Sequence, residues 1–211
     1  MFVQILVDNT NSWIIPYAVD LVNTICELGH SAELKHHPEE VSKGDVLCLL
    51  SCEKIFKKLY LNKFNLVVHE SDLPKGKGWS PLTWQVLEGN NEIPITLFEA
   101  SEKVDNGKIY LREMLILQGH ELIDEIRHQQ GEITIKLILQ FIKKIDNIKG
   151  KEQLGESTYY PRRTLKDSQL DIQQSINDQF NLLRVVDNGR YPAFFIINGI
   201  KYILKIEKST S

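Results

Sequence analysis

Cysteine is scarce in this chain of 211 residues. The three present, Cys26, Cys48 and Cys52, are odd in number and show no CxxC spacing. That argues against a disulfide framework or a zinc site. No stretch approaches the roughly 20 apolar residues needed to span a bilayer. Neither charge dominates: 25 Lys and Arg against 28 Asp and Glu leave a net charge of −3. No broad basic surface for nucleic acid or an anionic membrane is therefore expected. The glycine-rich LPKGKG lacks the GxxxxGK[ST] spacing of a P-loop. There is no internal repeat and no low-complexity segment. The opening MFVQILVDNT has no basic region before its apolar stretch, so it reads as a core strand rather than a signal peptide. A reduced, cytoplasmic setting is expected. What is present, 42% hydrophobic and 25% charged residues, describes an ordinary globular chain, long enough for one domain with a small appendage.

The first half alternates strands and helices. FVQILVD is a short apolar run suited to a buried strand. A helix follows with Asn11 or Ser12 as its cap, and Ile14, Ala18, Leu21, Ile25 and Leu28 lie along one face at 3.6-residue spacing. AELKHH, DVLCLLS and NLVVHES read as further strands, with KIFKKLYLN a short helix before the last. Ser80, Pro81 and Gly89 start and stop another helix. EIPITLFEA and KIYLREMLI read as paired strands. Apolar residues from Leu122 to Ile145 define a long helix or a broken pair, weakest at Gly131. A helix near Ile176 to Val186 and the hairpin AFFII-NG-IKYILKI complete the chain, with Asn198-Gly199 suited to a type I′ turn. The expected fold is α/β: a Rossmann-like, mostly parallel, doubly wound sheet with flanking helices, plus a small C-terminal helix and β-hairpin subdomain. The expected boundaries are 1–148 for the main domain, 149–158 for a linker and 159–211 for a subdomain docked on the first.

His69 stands where the apolar strand LVV gives way to polar residues, at the carboxyl end where ligands bind in open parallel sheets. Taken alone, such a histidine more often caps a strand, and Asp105-Asn106-Gly107 alone is a tight turn. The adjacent His36 and His37 point to opposite faces of a strand and share no metal. Cys48 and Cys52 read as small apolar core residues. Trp79, Tyr160 and Arg162, with Tyr159 and Arg163, offer stacking and phosphate contacts. Lys77 and Lys75 flank the glycine loop, and Trp13 with Asn9 and Asn11 borders the same cleft.

Order matters more than any single motif. His69, Ser71, Leu73-Pro74, Gly78, Pro81, Gly89, Thr96, Asp105 and Gly107 occur in the sequence and spacing of the folate-dependent formyltransferase family, and residues 45–206 resemble that family over most of their length. YYPRRT and QFNLLRVVDNGRYPAFF resemble the sugar-nucleotide and methionyl-tRNA branches, and no such feature occurs in glycinamide ribonucleotide formyltransferase. The family asparagine two residues before the histidine is replaced here by Val67, which donates no hydrogen bond. Where tested, loss of one oxyanion donor costs about 100- to 1000-fold in rate. Asn65 lies on the same strand face as His69 but about 13 Å back along the strand. It is retained as a candidate beside Ser71, a backbone N–H, Asn9 and Asn11.

The resemblance implies transfer of a formyl group from N10-formyltetrahydrofolate to a primary amine, with His69, Asp105 and Asn65 at the catalytic centre and no metal. It implies a pterin site at Leu50, Ser51, Cys52 and Ile55 and along Glu99, Val104 and Asp105. The acceptor side falls to Asn9, Asn11, Trp13, Lys77, Gly78, Trp79, Tyr160 and Arg162. The implied acceptor is a nucleotide-linked amino sugar, of the UDP-linked 4-amino-4,6-dideoxy type found in pseudaminic-acid pathways. The alternatives are a methionyl-tRNA formyltransferase and a folate- or nucleotide-binding homologue without catalysis. Neither a nucleic acid nor a membrane partner is expected for the sugar branch. The apolar edge IKYILKI suggests a homodimer.

Overall fold

The computed structural model describes residues 1–209. In chain order its elements are β1 (Phe2–Leu6), α1 (Ile15–Glu27), β2 (Ser31–Lys35), β3 (Gly44–Leu49), β4 (Asn62–His69), β5 (Lys77–Gly78), α2 (Pro81–Leu87), β6 (Glu92–Glu99), β7 (Ile109–Ile116), α3 (Ile123–Lys143), β8 (Tyr159–Tyr160), α4 (Phe180–Arg184), β9 (Ala193–Ile197) and β10 (Ile200–Leu204). Six strands form the main sheet in the order β2-β1-β3-β4-β6-β7. The first four are parallel, β6 runs antiparallel to β4, and β7 antiparallel to β6. This is the expected Rossmann-like α/β fold.

Two clusters show which face the helices cover. Val3, Ile5, Val46, Leu66, Ile93, Ile95 and Leu97 join Ala18 and Leu21 of α1, Leu82 and Val86 of α2, and Leu137, Ile138 and Phe141 of α3 in one large core. At roughly 25 cal/mol per Å² of apolar surface, this cluster dominates the favourable side of folding. The opposite face holds only Leu6, Val41, Leu47, Leu49 and Phe56. The helices thus gather on one face instead of winding on both. The face they leave carries Val67, His69, Thr96 and Phe98, paired across β4 and β6; Val67, His69 and Phe98 line a cavity there, while Thr96 is buried and donates to the Ser71 carbonyl.

Several boundaries differ from expectation. The segment KIFKKLYLN forms no α-helix: Leu59–Leu61 is a single 3-10 turn and β4 starts at Asn62. Asp8 accepts hydrogen bonds from the N–H groups of Glu53 and Lys54, a fixation by a residue far back in the chain that propensity does not encode. Neither Asn11 nor Ser12 caps α1; its N-cap is Ile14, with no side-chain cap bond. The C-terminal helix is shorter than expected, Phe180–Arg184. The β9–β10 hairpin has the expected register, with Asn198 and Gly199 both at positive φ, as a type I′ turn requires.

α3 is one unbroken helix of 21 residues, and Gly131 lies buried within it. A Cβ there would stand 2.5 Å from the Tyr17 ring of α1, so the glycine marks where the two helices approach most closely. Overpacking costs about 1–3 kcal/mol, whereas Ala gains about 1 kcal/mol of helix propensity over Gly. Gly131→Ala is therefore expected to lower stability, by up to about 2 kcal/mol in urea unfolding. A variant as stable as wild type would show that Tyr17 swings aside freely.

Segment 149–158 is tied into the fold at Lys151, Gln153 and Thr158, with Leu154 and Gly155 exposed between them. Lys151 bridges to Ile109, Gln153 Nε2 donates to the carbonyl oxygens of Asp105 and Gly107, and Lys77 N–H donates to the Thr158 carbonyl. β5 and β8 then pair in parallel.

Candidate active site

The polar end of β4 opens into a cavity of about 630 Å³, within the size range of small-molecule and cofactor sites. His69 lies at its base, 7% exposed, edge-on to Phe98. Its Nε2 is 2.9 Å from the Gly76 carbonyl oxygen. A carbonyl only accepts, so the Nε2 carries the proton of the neutral ring and Nδ1 holds the free lone pair. Asp105 Oδ2 lies 3.8 Å from the same nitrogen, too far for a hydrogen bond and close enough for charge interaction. The same oxygen accepts the Gly78 N–H at 2.8 Å.

The loop carrying Asp105 is held with little freedom. Asp105 itself has φ +49°. At Gly107 a Cβ would lie 1.6 Å from the Glu99 carbonyl oxygen, so only glycine fits. Four non-glycine residues among those described have positive φ, and three of them, Ser51, Ser80 and Asp105, line this cavity. Backbone strain costs of order 1–3 kcal/mol per residue and gathers at functional sites.

The cavity has two chemically distinct sides. One is largely apolar, with Leu50, Cys52, Ile55, Phe56, Val67, Phe98 and Val104. Burial pushes the Cys52 thiol up to about 12, and the Asp8 charge adds to the shift, so it stays a neutral thiol. The other side carries Arg127, Arg162, Arg163 and Arg190 together with Trp13, Trp79, Glu70 and Gln130. Arg162 stacks 4.5 Å above Trp79 and reaches Glu53. Arg127 lies 5.9 Å from the Trp13 ring and pairs with Asp187 at 2.8 Å. No group of three His, Cys, Asp or Glu side chains suited to a metal occurs among the described residues, and no described helix is long and apolar enough to cross a membrane.

Most of the residues expected from the sequence meet here. His69, Asp105, Leu50, Ser51, Cys52, Ile55, Val104, Asn9, Trp13, Gly78, Trp79 and Arg162 all line the cavity. Five do not, each for a visible reason. Asn65 donates its amide to the Leu59 carbonyl and is buried behind the strand end, so it corrects the expectation of a catalytic role. Glu99 is occupied by the Asn65 N–H and the Tyr110 hydroxyl. Lys77, expected to meet phosphate, is 2% exposed and donates to Asn106 Oδ1 at 2.8 Å, bracing the Asp105 loop. Tyr160 stacks on Trp84 and donates to Glu88. Asn11 is exposed, and its N–H donates to Asn9. Glu70, Arg127 and Gln130 also line the cavity without any motif in the sequence that marks them. The one signal for the α3 pair was their shared polar stripe, three residues apart, opposite the apolar face.

Comparison with known proteins now bears on this geometry. Residues 29–142, more than half of the chain, match the formyl transferase family. The chain belongs to that family. A methionyl-tRNA formyltransferase of Coprothermobacter proteolyticus is 31% identical over 123 residues, covering 56% of this chain and 40% of the relative. One from Caldicellulosiruptor saccharolyticus is 27% identical over 168 residues, 78% of this chain and 53% of the relative. The chain thus spans about half or less of the curated relatives it matches. Among solved structures, a Clostridium thermocellum methionyl-tRNA formyltransferase superposes with TM-score 0.84 at 20% identity, covering 100% of this chain and 94% of the other. A Francisella tularensis 4-N formyltransferase gives 0.75 at 15%, covering 100% and 98%. HypX of Aquifex aeolicus, solved with tetrahydrofolic acid, gives 0.77 at 18%, covering 97% and 37%. These structural likenesses establish a shared formyl transferase fold, with His69 and Asp105 inside the matched span or at its heart.

Proposed function

We propose that this chain transfers a formyl group from N10-formyltetrahydrofolate to the amine of a nucleotide-linked amino sugar. The observation that carries the reading is the His69–Asp105 pair at the floor of a cavity divided into an apolar side and an arginine-bearing side. The apolar side, Leu50 to Phe56 with Val67, Phe98 and Val104, suits a flat heteroaromatic ring. When bound, the folate supplies the activated formyl carbon. Everything else falls to the protein. An ammonium is no nucleophile until it loses its proton, and the Nδ1 lone pair of His69 is the base available to take it. Asp105 holds the ring's charge and orientation, as a carboxylate does for an imidazole. On the arginine side, Arg162 and Arg163 suit the phosphates of a nucleotide, with Trp79 and Trp13 as stacking surfaces.

The substrate is assigned as a UDP-linked 4-amino-4,6-dideoxy sugar of the pseudaminic-acid type. A 4-N formyltransferase among the structural neighbours and the net charge of −3 support a small-molecule acceptor over tRNA. The three free cysteines fit a reducing cytoplasm. The exposed Ile196, Ile197, Ile200 and Ile203 of the hairpin support a homodimer joined there, which sedimentation reads directly. A second reading, formylation of methionyl-tRNA, has the curated relatives in its favour. A third, ligand binding without catalysis, is motivated by Val67.

One assay separates the three. Purified protein is incubated with N10-formyltetrahydrofolate and the UDP-amino sugar, and the product is followed by mass. Addition of one formyl group is expected. Formylation of methionyl-tRNA instead, with an affinity falling steeply as salt rises, would move the second reading ahead. Folate-induced stabilisation without transfer to either acceptor would favour the third.

A further inference from the structure

Glu70 follows His69 directly in the chain and enters the cavity from the other side of the strand end. It is turned toward α3, where Gln130 Nε2 donates to its Oε1 at 2.6 Å. Its backbone is held as well, since Gln85 Nε2 donates to the Glu70 carbonyl oxygen at 2.5 Å. No lysine or arginine among the described residues forms an ion pair with this carboxylate. Arg127, one turn from Gln130 on α3, is committed to Asp187 at 2.8 Å. Glu70 thus presents its carboxyl group to the cavity, fixed by a neutral amide, with the neighbouring Arg127 engaged by Asp187.

A half-buried carboxylate without a cation partner is costly to keep charged. Burial raises its pKa above the ordinary range; the neighbouring Asp105 charge acts the same way, while His69 and Gln130 oppose the shift. A raised folded pKa means that stability present below the unfolded value, about 4.3, is lost as pH rises through the folded value. At neutral pH the protein therefore keeps Glu70 at a loss of stability. Residues retained against stability are those expected to serve function.

We infer that Glu70, fixed by Gln130, is the subsite that receives the acceptor's ammonium group and delivers it beside His69. This rests on the amine-formylating reading above and adds to it which group recognises the amine. An arriving ammonium brings the missing positive charge and donates to the Glu70 carboxylate, in the cavity that His69 and Asp105 also line. An acceptor with a hydroxyl in place of the amine brings no charge. The subsite thus selects charged aliphatic amines over alcohols of the same shape.

The test compares binding of the UDP-4-amino-4,6-dideoxy sugar and its 4-hydroxy counterpart, by titration calorimetry at pH 7.5, to wild type and to Glu70→Gln. A charge-assisted hydrogen bond makes a preference of about tenfold to a hundredfold for the amine expected in wild type. In Glu70→Gln the preference is expected to collapse to within about threefold, with tetrahydrofolate affinity unchanged and the thermal midpoint at or above wild type. The glutamine keeps the acceptor for Gln130, so a folding defect does not confuse the result. A preference that survives in Glu70→Gln overturns the inference. If wild type binds neither sugar, the sugar reading falls, and the subsite is read with methylammonium chloride. The 13C carboxyl signal absent from Glu70→Gln then shifts on addition if the subsite is real; a signal that stays put overturns it.

Discussion

Exchanging His69 for asparagine is expected to lower kcat/KM for formyl transfer by about 100- to 10,000-fold, the usual worth of a positioned general acid or base. The thermal midpoint should stay near that of wild type. Asparagine is smaller than histidine and its amide ends near the Nδ1 position, so the hydrogen bond that Nε2 now makes to the Gly76 carbonyl at 2.9 Å is given up, a loss of only about 1 kcal/mol. What it lacks is the second ring nitrogen, the only basic atom of His69 not turned toward Gly76 and Asp105. The loss should fall on kcat, because the ring acts on the proton that leaves during the chemical step. Asp105→Asn is a milder change in shape. Its remaining oxygen can still accept the Gly78 N–H, so the loop keeps its course while the charge beside His69 disappears. Either variant with the rate of wild type would remove that residue from the reaction.

His69 was legible because two independent signals met on it: its place at the polar end of an apolar strand, and the ordered run from Ser71 to Gly107. The fold was legible for a similar reason. Period-two and period-3.6 patterns, Pro81 with Gly89, and Asn198-Gly199 are local signals that survive in the structure, whereas the KIFKKLYLN helix and the Asn11 or Ser12 cap do not. The failures were residues whose surroundings come from far along the chain. Lys77 sits in GKG, a setting that reads as solvent, yet Asn106 accepts its ammonium 29 residues on. Tyr160 reads as a ligand-stacking ring, but Trp84 and Glu88 take both its face and its hydroxyl. Asn65 shares the strand face of His69 as alternation demands, and its amide is diverted to Leu59. Glu70 is the reverse case. A charged residue between His69 and Ser71 looks like strand-end polarity until Gln130, 60 positions later, fixes it toward the cavity. Alternation says which face a side chain leaves from; only the tertiary partners decide where its polar atoms end.

The largest expected loss of stability lies away from the cavity, at the join between the start of α3 and the C-terminal segment. Arg184 of α4 is 1% exposed and Glu121 is 5% exposed. The guanidinium lies 3.5 Å from Glu121 Oε2, 3.3 Å from the Glu121 carbonyl oxygen and 3.1 Å from Asn181 Oδ1. Glu121→Ala is expected to cost about 3–5 kcal/mol, because it leaves a buried cation without a countercharge. Arg184→Met should cost less. Glu121 would still accept the N–H groups of Gln118 at 2.7 Å and Gly119 at 3.0 Å, and the methionine stem would refill most of the space. The two partners of one ion pair are thus expected to differ, with the carboxylate the more costly to remove. Urea unfolding of the two single variants checks the order; equal losses would mean that the pair acts only as a pair. Acid titration gives a second reading of the same site. Burial pushes the Glu121 carboxyl up, but the N–H groups of Gln118, Glu121 and Gly119 and the nearby His120 outweigh it, so its pKa lies below the ordinary value. Its stabilising contribution is therefore present above the unfolded-chain value, about 4.3, and is lost as pH falls through the lower folded value. Wild type should lose stability over that acid range more steeply than Glu121→Ala, and parallel acid profiles for the two proteins would show that the carboxylate is not the group holding the C-terminal segment to α3.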